Sequence, residues 1–323
     1  MSFTYRIQRY NFFAPILMLN IVSLSKQMVR IIAFNKMTLN NLYQYIINHL
    51  FDVFQINEAK TIAYLLLEHY TKQNKISVCL NPDVDIEDSV IEKIDKAIKE
   101  LQNHKPIQYV LGETTFCDLP FLVNKSVLIP RPETEELVSL ILEDGKESSK
   151  ILDICTGSGC IAVALAHSLK KSQVYGVDIS EEAIETARKN ATLNQVDIHF
   201  LQKDIFSSDF EKEINHQFDV IVSNPPYVRE GEKQYMHRRV LNFEPALALF
   251  VEDNNPLLFY HQILKIGQSL LNDNGKIYIE INEAFGEEMI SLLTEYGYND
   301  IRLYKDIHGK DRMLTGGKGC LKP

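Results

Sequence analysis

The 323 residues carry 34 Lys and Arg against 43 Asp and Glu, a formal net charge of −9, with 45% hydrophobic and 24% charged residues. That length suits one large α/β domain with a smaller companion, and the composition is that of an ordinary globular chain. The acidic balance argues against a broad basic face for nucleic acid, and five scattered cysteines (Cys79, Cys117, Cys155, Cys160, Cys320) without paired C-x-x-C spacing support neither a metal site nor a disulfide framework.

Residues 1–36 contain Arg6, Arg9, Lys26, Arg30 and Lys36 and no acid. Their apolar patch from Phe12 to Leu19 is too short and interrupted for a membrane span. Three readings are open: an organelle transit peptide, a weak secretory signal, or residues upstream of a functional start at Met37 or Met28. Residues 37–105 read as a small all-helical domain. Apolar residues recur at three and four spacing, with Leu42, Tyr45, Ile46 and Leu50 over 41–54, then Ala59, Ile62, Ala63 and Leu66 over 57–71. Val90, Ile91, Ile94, Ala97, Ile98 and Leu101 continue the pattern to residue 101, and all three stripes are read as core. Lys105-Pro106-Ile107 breaks the last helix. Residues 106–131 are expected to form a hairpin linker, extended over 108–124, ahead of a helix opening near Pro132.

Residues 132–323 carry the pattern of a doubly wound sheet. A short apolar strand over 150–155 runs into Thr156-Gly157-Ser158-Gly159-Cys160, then into the helical run Ile161 to Ala166. The two glycines allow a sharp turn and the close approach of a ligand to the backbone. A second strand, 173–178, ends in Asp178 about twenty residues downstream, where a carboxylate can accept from ribose hydroxyls. A dinucleotide or S-adenosylmethionine would satisfy both features. Gly157-Ser158-Gly159-Cys160-Ile161-Ala162 does not by itself exclude NAD, since alanine is allowed at the third position. A third strand, 198–204, places Asp204 to take an adenine amino hydrogen, or alternatively to cap a loop. The fourth, 218–223, leads into Asn224-Pro225-Pro226-Tyr227. Proline lacks an N–H and fixes φ, which leaves carbonyls outside the sheet ladder. The Asn224 amide oxygen and the Pro225 carbonyl can then accept both hydrogens of one planar –NH2 group, with the Tyr227 ring covering it. A strand-ending loop punctuated by proline is the plain alternative. Hydride transfer has no use for such a motif, whereas methyl transfer to an amide or an amino-substituted base does.

The polar segment 230–240 is expected to be a mobile, solvated loop. A helix follows over 256–271, a strand over 275–281 and a helix over 285–296. An antiparallel hairpin then pairs 300–304 with 312–315, with His308 in its turn. Arg131 is expected either to shape the entry loop or to pair with Glu133, and Cys155 and Cys160 to pack near the glycine loop.

Gly112-Glu113-Thr114-Thr115-Phe116, Phe121 and Val127-Leu128-Ile129-Pro130-Arg131-Pro132-Glu133-Thr134-Glu135 resemble the segment before the catalytic domain of the release factor glutamine methyltransferases, the HemK/PrmC family. Asp153 to Gly159, Asp178, Asn224 to Tyr227 and Asn242-Phe243-Glu244-Pro245 continue that resemblance in order. Together these motifs span most of the chain from about Met37, which favours a functional start there. The resemblance implies a Rossmann-like S-adenosylmethionine-dependent methyltransferase fold, mostly parallel with a C-terminal antiparallel hairpin, preceded by a small helical domain that helps hold the protein substrate. It implies N5-methylation of the glutamine in the Gly-Gly-Gln motif of class 1 peptide chain release factors by a cytoplasmic monomer with no stable nucleic-acid or membrane partner. Cys155, Thr156, Gly157, Ser158, Gly159, Asp178, Asp204, Ile205 and Asn224 are then expected to hold the cofactor. Asn224, Pro225 and Tyr227 are expected to be catalytic, Asn224, Pro225, Pro226 and Tyr227 to hold the substrate, and Glu244-Pro245 to close one wall. Glutamine methylation of a ribosomal protein and adenine N6 methylation of nucleic acid use the same motif and remain alternatives.

Overall fold

The computed structural model describes residues 36–144 and 148–319. The readings of the basic leader before Lys36, and Cys320, lie outside the described residues. The chain divides into two compact units, the first ending at Asn103 and the second opening at His104.

The first unit is helical. Thr38 caps α1 (Leu39–Leu50) by accepting from the Asn41 N–H, so this helix starts and ends earlier than its apolar spacing suggests. It packs with α2 (Ile56–Thr71) and α4 (Asp88–Gln102), and Leu42, Ile46, Leu50, Ala59, Ile62, Leu66, Ile98 and Leu101 are buried in its core. A short helix, α3 (Lys75–Leu80), was not expected. It carries no apolar stripe and forms where the Asn74 side chain accepts from the Ser77 N–H at 3.0 Å, a local cap of the usual kind.

The second unit opens with another unexpected helix, α5 (Ile107–Leu111), in place of extended chain. The preceding helix has already ended at Gln102, with His104 at φ +64°, and the missing N–H of Pro106 is no handicap at the start of a new helix. Its carbonyl accepts from Tyr109 and Val110, and Gly112 closes the turn at φ +76°. The hairpin of β1 (Glu113–Phe116) and β2 (Leu119–Leu122) is not a free linker. It is tied to α8 (Glu181–Leu193) through Asn190, which accepts from the Leu122 N–H at 2.7 Å and donates to the Leu122 carbonyl at 3.0 Å.

The main sheet has seven strands in the order β10-β11-β9-β6-β3-β4-β5. Strands β3 (Lys150–Ile154), β4 (Gln173–Asp178), β5 (Ile198–Gln202), β6 (Phe218–Ser223) and β9 (Leu271–Glu280) are parallel neighbours. The antiparallel hairpin of β10 (Asn299–Lys305) and β11 (Asp311–Gly317) joins at β9. Both faces are covered, as a parallel sheet requires. Leu152, Ile154, Ile221 and Ile279 pack toward α11 (Leu258–Leu270) and α12 (Gly286–Glu295). Ile151, Val220 and Val222 pack toward α6 (Pro132–Glu143) and α7 (Cys160–Ser168). The register sets Ile154 beside Val177 and Ser223, and Ser223 beside Ile279. Four strands therefore end level at one edge of the sheet. The chain order reverses between β3 and β6, and ligands of open α/β sheets bind at such a switch point, outside the carboxyl ends of the strands.

The segment after β6 is more ordered than its polarity suggests. Ahead of β6 lies α9 (Phe210–Ile214); after it, β7 (Val228–Arg229) and β8 (Phe250–Val251) form two short parallel strands, and Glu230–Tyr235 is a 3-10 turn ahead of α10 (Arg238–Phe243). Salt bridges from Arg229 to Glu232 and from Lys233 to Glu230 close that turn on itself. His308 lies on the surface, in the β10–β11 turn, as read.

Candidate active site

A cavity of about 480 Å³ opens at the switch point, within the range of small-molecule sites. Its floor is the turn from β3 into α7. Cys155, Gly157 and Gly159 all adopt positive φ (61°, 55° and 78°), which folds the chain back on itself. At Gly157 a Cβ would meet nothing within 4 Å, so open space adjoins the backbone there. At Gly159 it would stand 3.0 Å from the Ala187 Cβ, and the missing side chain serves packing instead. Asp153, fully buried beneath the loop, accepts from the Thr156 hydroxyl at 2.6 Å and from the Ala162 N–H at 3.2 Å. Burial pushes its carboxyl from 3.8 to about 7, against the pull of those two donors. Ser158 is buried, and its carbonyl accepts from Asn190. Cys155 and Cys160 lie in the cavity wall, and burial raises both thiols.

Asp178 stands at the end of β4. Its Oδ2 accepts from the Gly157 N–H at 2.9 Å and its Oδ1 from the Ser180 N–H at 3.0 Å, so the carboxylate both shapes the loop and lines the cavity. Burial raises its pKa, and the backbone donors of Ser180, Gly157 and Ile179 oppose that rise. Asp204 spends one oxygen on the Phe206 N–H at 2.9 Å, the capping role held as its alternative, while the residue remains in the wall with Ile205. Phe206 and Phe259 meet edge to face at 5.3 Å beside them, and Phe206 is 43% exposed. Neither aromatic was singled out from the sequence; the one available signal was a phenylalanine two residues past Asp204. A carboxylate with lone pairs to spare, open backbone at Gly157 and exposed aromatic edges fit a nucleoside-bearing ligand.

The opposite wall holds Asn224 and Pro226, with Pro245 and Leu247 beyond. Pro225 and Tyr227 are not in that wall. Among the described residues no donor reaches the Pro225 carbonyl. Tyr227 packs against the core and donates its hydroxyl to Glu280 at 3.0 Å, so its role as a flat cover over the ligand finds no support in the cavity lining. Its carbonyl accepts from the Asn282 amide at 3.1 Å. Thr134, in the first turn of α6, accepts from the Asn224 amide nitrogen at 3.1 Å and donates to Glu280 at 2.7 Å. The sequence reading named Thr134 only within the family-like motif, without a role, and gave Glu280 none. The available signal was an acid ending the apolar strand Ile277-Tyr278-Ile279, as Asp178 ends β4. Arg131 pairs with Glu244 at 2.7 Å and not with Glu133, and Glu244 also accepts from the Ile129 N–H, pinning the entry segment beside Pro245. Glu133 instead stands 3.7 Å from His308.

The "Methyltransferase small domain" family matches residues 133–246 and the "PrmC N-terminal domain" family residues 47–112. The release factor glutamine methyltransferase of Flavobacterium psychrophilum is 44% identical over 283 residues, 86% of this chain and 98% of that protein. The protein of the same name from Bacteroides thetaiotaomicron is 41% identical over 280 residues, covering 87% and 100%. That from Lactococcus lactis is 42% identical over 233 residues, 71% of this chain and 84% of its own length.

Proposed function

The chain belongs to the release factor glutamine methyltransferase family, and we propose that it transfers a methyl group from S-adenosylmethionine to the side-chain amide N5 of the glutamine in the Gly-Gly-Gln motif of class 1 peptide chain release factors. It is an S-adenosylmethionine-dependent methyltransferase of Rossmann-like fold with an N-terminal helical domain. The single observation that carries the substrate reading is Asn224, whose amide nitrogen is occupied by Thr134 while the residue itself faces the cavity.

Bound S-adenosylmethionine supplies a methyl group already activated on a sulfonium. Asp178 would hold the ribose hydroxyls, the Gly157 and Ser158 backbone would lie against the methionine portion, and Asp204, Ile205 and Phe206 would frame the adenine. The protein's remaining task is to present a poor nucleophile, since the amide lone pair is delocalised into its own carbonyl. Asn224 Oδ1 in the cavity wall and the Pro225 carbonyl behind it, which no described donor occupies, would accept the two N–H hydrogens, turning the nitrogen toward the methyl and drawing density onto it. One of those hydrogens then leaves as a proton to water, and the spent cofactor departs as a neutral thioether. Positioning of this kind is worth about 7–11 kcal/mol in favourable cases. Pro226 walls the site beside them. Tyr227 acts from behind the loop, through its hydroxyl bond to Glu280.

On this reading the enzyme works in the cytoplasm as a monomer, with no stable nucleic-acid or membrane partner. Among the described residues no helix is long and apolar enough to cross a membrane. The test is to incubate the protein with labelled cofactor and, separately, a purified class 1 release factor, ribosomal proteins and DNA, then to map the label by mass spectrometry. Label on the Gly-Gly-Gln glutamine is the expected outcome. Label confined to a ribosomal protein or to adenine overturns the substrate assignment.

A further inference from the structure

Glu280 ends β9, next to β6 in the sheet, and is 1% exposed. Burial raises its carboxyl pKa, while the Thr134 and Tyr227 hydroxyls and the Arg312 guanidinium counter that rise and favour the carboxylate. A carboxylate only accepts, and a hydroxyl has a single hydrogen to give. The Thr134 hydrogen goes to Glu280 Oε2 at 2.7 Å and the Tyr227 hydrogen to Oε1 at 3.0 Å. Thr134, itself 2% exposed, is then left with lone pairs alone toward Asn224. Only the nitrogen end of the Asn224 amide can face it, and that bond is made at 3.1 Å. The two ends of an amide are otherwise nearly alike in shape, and the surrounding donors and acceptors decide which way round it sits. Here the direction is dictated from the end of the neighbouring strand β9, and Asn224 Oδ1 is the end left for the cavity.

We propose that Glu280, acting through the Thr134 hydroxyl, is the positioning residue that orients the Asn224 amide, so that the site selects a substrate –NH2 group and rejects a carboxylate. The inference rests on the amide-methylating reading above and adds to it the origin of glutamine-over-glutamate discrimination. An oxygen held outward attracts the two N–H hydrogens of glutamine. A glutamate side chain would bring acceptor against acceptor, and the buried pair would stay unsatisfied.

Glu280→Gln reverses the polarity with almost no change of shape. Glutamine can accept from Tyr227 at its oxygen and donate from its nitrogen to Thr134. The Thr134 hydrogen must then turn to Asn224, which flips its amide and shows its nitrogen to the cavity. The opposite placement of the glutamine amide leaves the Tyr227 hydroxyl hydrogen without an acceptor, so the flipped arrangement is the better satisfied one.

The test uses the full chain with a purified class 1 release factor, and with the same factor carrying glutamate in place of the motif glutamine. Four measurements are made: kcat, cofactor affinity, melting temperature, and binding of each factor by calorimetry. Glu280→Gln is expected to lower kcat roughly 10- to 100-fold with cofactor affinity unchanged. Its preference for the glutamine factor over the glutamate factor is expected to shrink or invert. Thr134→Val removes the relay and should lower kcat similarly, whereas Thr134→Ser keeps a hydroxyl and should recover most of the loss. A role confined to stability would move the melting temperature without moving the binding preference. Should Glu280→Gln fail to fold, the Val and Ser pair carries the test alone. A folded Glu280→Gln enzyme with unaltered kcat and unaltered preference, or Ser no better than Val, overturns the proposal while methylation by the unmodified enzyme stands. An unmodified enzyme that leaves the release factor unmethylated fails the underlying reading and takes this inference with it.

Discussion

Replacing Asp178 by alanine tests the cofactor side of the site, and the structure shows why a single affinity measurement cannot. Each carboxylate oxygen has two lone-pair directions. One on Oδ2 is taken by the Gly157 N–H and one on Oδ1 by the Ser180 N–H, at 2.9 and 3.0 Å. The Ile179 N–H takes a third of the four, which leaves one acceptor position for a ribose hydroxyl. Loss of a charge-assisted hydrogen bond is worth roughly 1.5–3 kcal/mol, or about 10- to 150-fold in Kd. The same substitution also frees the Gly157 N–H and loosens the loop, which could produce a loss of similar size with no ribose contact at all. The two are separated by a cycle in which Asp178→Ala and the unmodified enzyme each bind S-adenosylmethionine and an analogue lacking the ribose hydroxyls, followed by titration calorimetry. If Asp178 binds the ribose, the second change should do little once the first is made, with a coupling energy of about 1.5–3 kcal/mol. Strictly additive losses in folded protein would refute the ribose contact and leave Asp178 as a brace for the glycine loop.

Asn224→Ala should remove most of kcat while leaving cofactor affinity nearly intact, read by single-turnover kinetics and calorimetry, and normal turnover in the folded variant would reduce Asn224 to a loop residue. The two glycines should separate cleanly. Gly157→Ala adds a methyl where nothing lies within 4 Å and should cost only about 1–2 kcal/mol of stability, yet weaken cofactor binding about tenfold by filling open space. Gly159→Ala forces a Cβ to 3.0 Å from Ala187 and 3.3 Å from Phe200 and should cost about 2–4 kcal/mol of folding stability by chemical denaturation. Asp153 carries a pH signature. Its folded pKa of about 7 lies above the ordinary carboxyl value of 3.8, so the stability it contributes is complete below 3.8 and is lost as pH rises through 7. Between pH 5 and pH 8 the unmodified protein should lose about 3 kcal/mol relative to Asp153→Asn. Urea titrations at the two pH values giving a constant difference would rule this out.

Much of this protein is legible along the chain because the responsible physics is local. Apolar periodicity marks the helical stripes and the five parallel strands. The glycines of Thr156-Gly157-Ser158-Gly159 announce a turn that needs positive φ, and Asp178 ends its strand, Asn224 directly follows one and Asp204 comes two residues past one. The short helices were invisible for an equally local reason. Lys75–Leu80 and Ile107–Leu111 have too few residues to show a period, and they form on an asparagine cap and on the far side of a proline. What only the tertiary structure decides is which strand lies beside which. Placing β9 against β6 brings Glu280 within a hydrogen bond of both Tyr227 and Thr134, 53 and 146 positions away in the chain. The same folding draws Arg131 to Glu244 across 113 positions in preference to Glu133, two residues off. A side chain's own sequence neighbours state what it can donate or accept. The groups it meets are set by sheet order and register, and here they give the Tyr227 hydroxyl to Glu280 and the Asn224 amide nitrogen to Thr134.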